Sequence, residues 1–523
     1  MQMSEPLPDL APLASCPIAA RRSSVGVYVA LGVILVLAAV LRFRGLAHES
    51  LWFDEALTVI HVRKSFTGML ASAHMLENMP PFYFCLLWVW ARVFGTSDFA
   101  VRLPSAILGV AAVGMLFRVG RELVGRGVDG DRVGLMAALL LAISRHQIGY
   151  SQQARAYALM MFLLLVSCDC FLRLIGFGGG GPARRGTAVV YVLCSAMMLW
   201  TQPFSGFSLL GQDLFFGVLW LRAALVSRRN PHLDARNHPH PSPLPEYGER
   251  GPESTRLVPT APAVPMREWL TYQGMILILF GPWLFHMREV MEIGAPWMHT
   301  PHIAAAYAEY ADHWRPLVAA MGVLVALGIA RGIWRRQMWV VFAVLLATLP
   351  VVIPVWASTP RHILFIPRYG MPAIIGICLL MAGGASMLGS IGGWVAVAVL
   401  CAIALPHVVD DFRQGRNFYP RPDVRSVAAL VDSHAARGDE VVFEELLEQK
   451  VFSVYSGRGD LEISGQVPRT VVDSDTHALA PRRVWFVASS GNLDPHGGWI
   501  AGTPYRIVGE WRFNDAVVAE LER

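Results

Sequence analysis

Long apolar stretches without charged residues recur along most of this chain. The longest, Tyr369–Val409, contains no Asp, Glu, Lys or Arg. As a single helix it would extend about 60 Å, about twice the hydrocarbon thickness of a bilayer. It therefore has to turn once, and the expected turn is flanked by Gly384, Gly389, Gly392 and Gly393. A chain built from such stretches is expected to fold within a membrane.

Further runs of the same kind bring the number of predicted spans to eleven, each near the 20 or so residues that a crossing helix needs. Charged residues make up only 16% of the 523 residues, against about 25% in soluble domains. This composition excludes a soluble multidomain enzyme, a disordered chain and a disulfide scaffold. The predicted spans are 23–41, 103–120, 133–149, 156–175, 187–203, 205–222, 269–286, 316–332, 338–356, 368–388 and 391–408.

The seven cysteines are not expected to form disulfides or a metal framework. Nearly all lie in or beside apolar runs. Cys168 and Cys170 are separated by one residue, which suits neither a zinc pair nor a redox C-x-x-C motif. We interpret them all as small apolar residues of the membrane domain.

One apolar run, residues 79–95, could either span the membrane or lie along its surface. If it spans, the basic loops at 121–132, 183–186 and 331–336 fall outside. If it does not, those loops fall inside together with 225–230, as the positive-inside rule requires. We adopt the second arrangement, which gives eleven crossings and a cytoplasmic N-terminus. Residues 79–95 are then an interfacial or re-entrant helix on the outer face.

The predicted fold class is an all-α polytopic membrane protein with a small C-terminal α/β domain. Residues 1–22 are expected to be a cytoplasmic tail and 23–409 the membrane domain. Residues 228–265 are rich in proline and lack apolar periodicity, which favours a disordered cytoplasmic loop over a metal-binding or SH3-binding segment. Residues 410–523 alternate helical and strand patterns, and parity places them outside, in the periplasm of a bacterial inner membrane.

Three segments at the predicted outer face carry unusual polar residues. The first contains the adjacent carboxylates Asp54 and Glu55 in an aromatic, apolar setting. Carboxylates near lipid are costly and are candidates for function, and one of them would suit a general base. The alternative is an acidic pair that simply stabilises the N-terminus of an interfacial helix.

The other two segments carry arginines where helices enter the membrane. Arg155 lies between Tyr150 and Tyr157, and Arg361 precedes the pair formed by Arg368 and Tyr369. Arginine binds phosphate oxygens through two parallel hydrogen bonds, so two such entries on one face suggest a phosphate site. The alternative is interfacial anchoring by Arg and Tyr. Supporting positions on the same face are Asn78 and Arg102, while Asp213 lies within a span and favours a role in bundle packing.

Taken together, these motifs resemble an ordered set found in bacterial GT-C glycosyltransferases. The resemblance is to the group of the dolichyl-phosphate-mannose protein mannosyltransferases and the lipid A aminoarabinose transferase. It covers about residues 25–410, and the segment starting at residue 421 resembles the outer domain of bacterial members. The motifs that carry it are SLWFDEA, NMPPFYF, AVRLPSA, YSQQARAYAL and IPRYGMP.

This resemblance implies an inverting transfer of a sugar from a polyprenyl-phosphate-linked donor to a hydroxyl of a protein, lipid or glycan. Asp54 would be the catalytic base and Glu55 its neighbour in the same acidic pair. The lipid phosphate would be held by Arg155, Arg361, Arg368 and Tyr369. The family usually has His where Asn78 and Gln202 stand here, which puts substrate choice in doubt but not the class of reaction.

Two other classes of function compete with a glycosyltransferase. A transporter or flippase of lipid-linked sugars should show internal repeats and charges at the midplane, whereas the conspicuous charges here cluster on one face. A non-catalytic scaffold would not explain the clustered Asp, Glu and Arg residues. The sequence contains neither a nucleotide-binding fingerprint nor a nucleic-acid-binding face, and it implies no metal site, since His299 and His302 are interpreted as loop residues. Whether a divalent metal is required stays open.

The predicted sidedness can be tested with a topology reporter. We expect a reporter fused after Val409 to report an outer location, because eleven crossings starting from a cytoplasmic N-terminus end outside. Activity of a reporter that functions only in the cytoplasm would contradict this prediction and would make 79–95 a span.

Overall fold

The computed structural model describes most of the apolar chain and the core of the C-terminal domain. Two predicted site residues, Asn78 and Arg361, lie outside the described residues, as do His299 and His302 and most of 228–265. The described ranges are 18–76, 79–177, 185–229, 262–293, 303–308, 315–358, 367–414, 422–443, 446–465, 483–488 and 505–522.

The membrane domain is helical, and each of the eleven predicted runs contains a helix. Its helices are α1 (Ile18–Phe43), α2 (Phe53–Arg63), α3 (Phe66–Leu76), α4 (Phe82–Phe94), α5 (Asp98–Val124), α6 (Val128–Ile143), α7 (Arg145–Ser151), α8 (Tyr157–Leu174), α9 (Arg185–Leu199), α10 (Gly206–Arg229), α11 (Met266–Ile293), α12 (Ile303–Ala308), α13 (Arg315–Trp334), α14 (Trp339–Ala357), α15 (Ala373–Ala385) and α16 (Gly389–Gln414).

Among the described residues, seven helical stretches are long and apolar enough to cross a membrane, or eight if one bent pair counts as a span. The shorter apolar helices α4 and α9 fall below that length. A membrane-spanning helical fold is therefore confirmed, and the number of eleven crossings stays a prediction. The predicted turn within 369–409 is present, since Gly389 has a φ of 80°, a left-handed conformation that glycine adopts without steric cost.

The third predicted run, 133–149, is not one straight helix. It includes most of α6 and the beginning of α7, and these two helices meet at a bend of 64°. Ser144 causes the break, because its backbone is extended and its side chain accepts a hydrogen bond from the backbone N–H of Gln147 at 3.4 Å. This is an N-cap, which starts a new helix in a new direction. After α7, the Gln152 side chain donates to the carbonyl oxygen of Arg44, in the loop that precedes α2, at 2.9 Å.

Close approach of small residues holds the helices together. A Cβ atom on Gly134 of α6 would lie 2.6 Å from the carbonyl oxygen of Phe117 on α5. Gly328 of α13 and Gly384 of α15 likewise face backbone carbonyls of the opposite helix. In lipid, where apolar surface gains little by pairing, such small-residue contacts give the van der Waals packing that drives helix association.

Asp213 in α10 is a packing residue of the bundle, as the sequence favoured. Its carboxylate accepts a hydrogen bond of 3.1 Å from the indole N–H of Trp269 on α11. The Trp269 ring stacks on Phe216, with ring centroids 4.7 Å apart. A polar contact between two helices is thus satisfied within the bundle and lies away from the Asp54 segment.

The C-terminal domain is a small α/β unit, which confirms the predicted fold class. The structure adds one helix and one edge strand to the predicted pattern. The elements are α17 (Val424–His434), β1 (Glu440–Phe443), α18 (Leu446–Tyr455), β2 (Glu462–Gly465), β3 (Arg483–Ala488), β4 (Arg506–Phe513) and β5 (Ala516–Glu522). The sheet order is β2-β1-β3-β5-β4, with β1 parallel to β2 and β3, and with β5 antiparallel to β3 and β4.

The C-terminal domain packs on the loop and helix that carry Asp54. Leu51 and Val59 share one apolar cluster with Val427 and Val431 of α17. Burying these side chains together removes apolar surface of both parts from water. The domain therefore rests directly on α2.

Polar contacts reinforce this packing. The Arg425 guanidinium donates to the carbonyl oxygen of Glu49 at 3.0 Å and pairs with Asp98, the first residue of α5. The Tyr455 hydroxyl donates to the Asp98 carboxylate at 2.7 Å and accepts from the backbone N–H of Leu51 at 2.6 Å. The loop before α2 is thus held by side chains of the C-terminal domain.

Candidate functional site

Asp54 and Glu55 lie in the first turn of α2 and point in different directions. Acidic side chains are stabilised at a helix N-terminus by the unpaired N–H groups and the helix dipole. Successive residues of a helix are rotated by about 100°, so the two carboxylates reach different surroundings. The structure accordingly separates a pair that the sequence presents as equivalent.

The Glu55 carboxylate is fully buried and bound on every side. Arg102 of α5 binds it with two hydrogen bonds, from Nε to Oε1 at 2.8 Å and from Nη2 to Oε2 at 2.7 Å, and both side chains are 0% exposed. The backbone N–H of Ala154 donates to Oε1 at 2.8 Å. Glu55 therefore holds three parts of the chain together.

Arg102, predicted as a supporting residue, also holds the loop that precedes α2. Its remaining N–H groups donate to the carbonyl oxygens of Leu46, Glu49 and Ser50 at 3.0, 2.9 and 3.0 Å. The buried guanidinium thus satisfies backbone groups that could not reach water. The resulting loop conformation sets where α2 begins.

The Asp54 carboxylate is the point at which the three predicted polar segments meet. Its Oδ2 atom lies 3.1 Å from Arg368 Nη1 and 3.8 Å from Arg155 Nη2. The Asp54 side chain is 17% exposed, whereas that of Arg155 is only 4% exposed. Two guanidinium groups from distant parts of the sequence therefore converge on one partly accessible carboxylate.

Arg155 is fixed by contacts with α2. Its Nη1 atom donates to the backbone carbonyl of Asp54 at 3.1 Å and to the Thr58 hydroxyl at 3.3 Å. The Thr58 hydroxyl in turn donates to the same Asp54 carbonyl at 2.9 Å. These bonds fix the direction of the guanidinium, and a preorganised cation binds a ligand with little loss of entropy.

Arg368 is more accessible, with 25% of its side chain exposed. Its guanidinium carbon lies 5.9 Å from the ring centroids of both Trp52 and Tyr369, at cation–π distance. The cation is therefore held between aromatic faces at the edge of the site.

Aromatic side chains complete the surroundings of this ion cluster. The Tyr369 ring stacks on Phe204 with centroids 4.8 Å apart, and Tyr150 packs edge-on against Tyr157 at 5.0 Å. Within the described ranges, the buried Tyr157 hydroxyl has no hydrogen-bond partner. Tyr369 thus lies beside Arg368, while Tyr150 packs against Tyr157.

Sequence reasoning missed three residues of the site, namely Trp52, Thr58 and Phe204. Trp52 belongs to the SLWFDEA motif, and Phe204 stands two residues after Gln202, so both lie in segments already singled out. Gln202 itself is buried, 2% exposed, in the turn that leads to Phe204. Their position within these motifs was the only sign in the sequence that they belong to the site. The contacts of the Trp52 and Phe204 rings with Arg368 and Tyr369 could be seen only in the folded structure.

In the part of the chain that the structure describes, no cluster of three or more His, Cys, Asp or Glu side chains is arranged to hold a metal ion. The described part of the site presents one carboxylate, two guanidinium groups and several phenols. Such a set can accept a proton and bind an anion.

Comparison with solved structures identifies the architecture. ArnT from Cupriavidus metallidurans in the apo state aligns with a TM-score of 0.55 at 14% identity, over 95% of this chain and 98% of that chain. The chain has the ArnT-like GT-C fold. The same protein bound to undecaprenyl phosphate aligns with a TM-score of 0.51 at 14% identity, over the same shares.

Two further comparisons agree with this fold. The arabinofuranosyltransferase AftD from Mycobacteria aligns with a TM-score of 0.51 at 14% identity, over 96% of this chain and 40% of AftD. Residues 78–199 match the family model described as dolichyl-phosphate-mannose-protein mannosyltransferase. A putative mannosyltransferase, YycA of Bacillus subtilis (strain 168), is 26% identical over 107 residues, which is 20% of this chain and 15% of YycA.

The structural role of Arg102 can be tested by removing it. We expect Arg102→Met to lower the free energy of unfolding by about 3–5 kcal/mol, because the Glu55 carboxylate would stay buried without its cation. Thermal unfolding of the purified protein in detergent measures the change. The double variant Glu55→Gln/Arg102→Met should lose less than Arg102→Met, since it removes the buried charge.

Arg437→Met is the matched control, since this arginine of the C-terminal domain is exposed and its loss should leave stability nearly unchanged. Equal stability of Arg102→Met and the parent protein would show that the buried ion pair does not hold the loop.

Proposed function

We propose that this chain is an inverting glycosyltransferase. It transfers a sugar from a polyprenyl-phosphate-linked donor to a hydroxyl acceptor at the outer face of a bacterial inner membrane. The observation that carries this proposal is the convergence of Arg155 and Arg368 on the partly accessible Asp54 carboxylate. The site thus combines a proton acceptor with two cations that suit a phosphate. One solved structure with the same fold has undecaprenyl phosphate bound.

In this mechanism the donor phosphate binds Arg155 and Arg368. The Asp54 carboxylate accepts the proton of the acceptor hydroxyl as that oxygen attacks the anomeric carbon. The bond between that carbon and the phosphate oxygen breaks on the opposite side, so the configuration inverts. The polyprenyl phosphate leaves as an anion, and the preorganised guanidinium groups stabilise the charge that develops on it.

The charge balance of the site favours this assignment. Before transfer, the two guanidinium cations face the Asp54 carboxylate and one negative charge on the donor phosphodiester. After transfer, Asp54 is protonated and the phosphate, now a monoester, has gained a second negative charge. The sum over these groups is zero in both states, so no net charge is created at a partly buried site, where an uncompensated charge is costly.

Glu55 contributes to this mechanism by positioning. Its carboxylate binds Arg102 and the backbone N–H of Ala154, the residue before Arg155, and so fixes both sides of the cluster. Asn78, Arg361 and Tyr369 remain proposed contacts of acceptor or donor from sequence, and of these Tyr369 lies beside Arg368.

The base assignment predicts the effect of Asp54→Asn. We expect transfer to fall by about a hundredfold to ten-thousandfold, because the amide keeps the shape but cannot accept the acceptor proton. Purified protein, radiolabelled polyprenyl-phosphate sugars and crude membrane acceptors provide the assay, and donor binding should stay nearly intact.

Two variants serve as controls for Asp54→Asn. Glu55→Gln should lose more stability but less turnover per folded molecule, and Asp460→Asn, in the C-terminal domain, should behave as the parent protein. Near-normal turnover of Asp54→Asn together with an inactive Glu55→Gln would move the base assignment by one residue. Full activity of both variants with a verified donor would rule out the mechanism.

The phosphate assignment predicts a different kinetic effect for Arg368→Ala. Removing a cation from the leaving phosphate should lower kcat about a hundredfold and also raise the donor KM. Arg368→Lys should recover part of the loss, because it restores the charge but not the two-bond geometry. A change in the acceptor KM alone would place Arg368 at the acceptor and contradict the assignment.

A further inference from the structure

A second cluster of arginines surrounds a cavity at the far end of the bundle from Asp54. The cavity has a volume of about 320 Å³ and is lined by Arg118, Arg121, Arg126 and Arg173 together with Tyr28 and Glu122. Arg118 lies on α5, as does Arg102 beneath the Asp54 site. Their separation of sixteen residues along the helix corresponds to roughly 24 Å. The cavity is therefore separate from the proposed catalytic site.

The cavity carries more positive than negative charge. Arg118 and Arg173 share the single carboxylate of Asp169, at 3.1 and 3.2 Å. Arg126 pairs with Glu122 at 2.6 Å, and Arg121 with Asp131 at 2.6 Å. Four guanidinium groups thus face three carboxylates among the described residues, which leaves one unit of positive charge.

Charged residues next to the cavity, at the same end of the bundle, add to this excess of positive charge. Asp129 lies 3.7 Å from Arg132 and 3.9 Å from Arg331, so one carboxylate again serves two arginines. Each guanidinium offers several N–H donors, and Arg118 keeps 47% of its side chain exposed. An anion entering the cavity would therefore find both charge and accessible donors.

The rim of the cavity indicates what kind of anion would fit. Tyr28 is 55% exposed, and its neighbours Val25 and Val29 on α1 are each 62% exposed. Exposed apolar side chains on a membrane-spanning helix are suited to contact with lipid chains. A cationic cavity beside such a surface matches a molecule with an anionic head group and apolar tails, and basic pockets between membrane helices bind lipid head groups in this way.

We propose that this arginine cavity binds the head group of an anionic phospholipid. The phosphodiester would accept hydrogen bonds from the Arg118 and Arg126 guanidinium groups, and the acyl chains would lie along the exposed face of α1. The site would anchor the bundle to the leaflet opposite the catalytic site. This inference does not depend on the proposed glycosyltransferase function.

The test uses the full-length protein in lipid nanodiscs of pure phosphatidylcholine and in discs with increasing phosphatidylglycerol. We expect phosphatidylglycerol to raise the midpoint of thermal unfolding in a saturable manner, since a ligand that binds only the folded state stabilises it. Arg118→Gln and Arg126→Gln should each raise the phosphatidylglycerol content needed for half of the effect about fivefold.

Arg335→Gln is the matched control, because Arg335 is exposed at the same end of the bundle but does not line the cavity. It should leave the lipid response unchanged. Unfolding in pure phosphatidylcholine shows whether each variant is folded, and Arg118→Lys provides a variant that keeps the charge. An unchanged lipid response in both cavity variants would overturn the proposal, as would equal stabilisation by free inorganic phosphate, which has no acyl chains.

Discussion

The buried ion pair between Glu55 and Arg102 determines the geometry on which the rest of the outer face depends. Both side chains are buried from solvent. Two buried charges are tolerated there because the carboxylate oxygens of Glu55 and the N–H groups of Arg102 all have hydrogen-bond partners. Those partners are the loop before α2, the start of α5 and the backbone just before Arg155. Since Asp54 is the next residue to Glu55, fixing one carboxylate fixes the direction of the other.

The C-terminal domain extends this constraint. Asp98 begins α5 one turn before Arg102, and it is bound by Arg425 and Tyr455 from the C-terminal domain. The loop before α2 is thus held by arginines from two sides, one in the bundle and one in the domain. A domain without residues in the Asp54 cluster can therefore still influence the position of that carboxylate, because Arg425 of the domain and Arg102 of α5 both donate to the Glu49 carbonyl in the loop before α2.

The sequence predicted the helical membrane fold well. Polar backbone groups cannot be left unpaired in lipid, so each long apolar run has to form a helix. It also predicted that residues near 54, 155 and 368 belong to one face. It could not separate the roles of Asp54 and Glu55, because adjacent carboxylates look alike until the position of Arg102 is known. The bend at Ser144 escaped notice for a similar reason, since a side-chain cap interrupts the helix within an otherwise apolar run. The short strand β2 depends on pairing with β1 and has little pattern of its own.

Arginines at helix ends are common in membrane proteins, so their presence alone does not distinguish function from anchoring. The difference lies in how accessible the shared carboxylate is. At the far end of α5, Arg118 and Arg173 share the Asp169 carboxylate, whose side chain is only 5% exposed. At the outer end, Arg155 and Arg368 share the single Asp54 carboxylate beneath aromatic rings. An incoming phosphate at the outer end would complete a neutral set around one proton acceptor. The position of that acceptor between the two cations is what makes a group transfer chemically reasonable there.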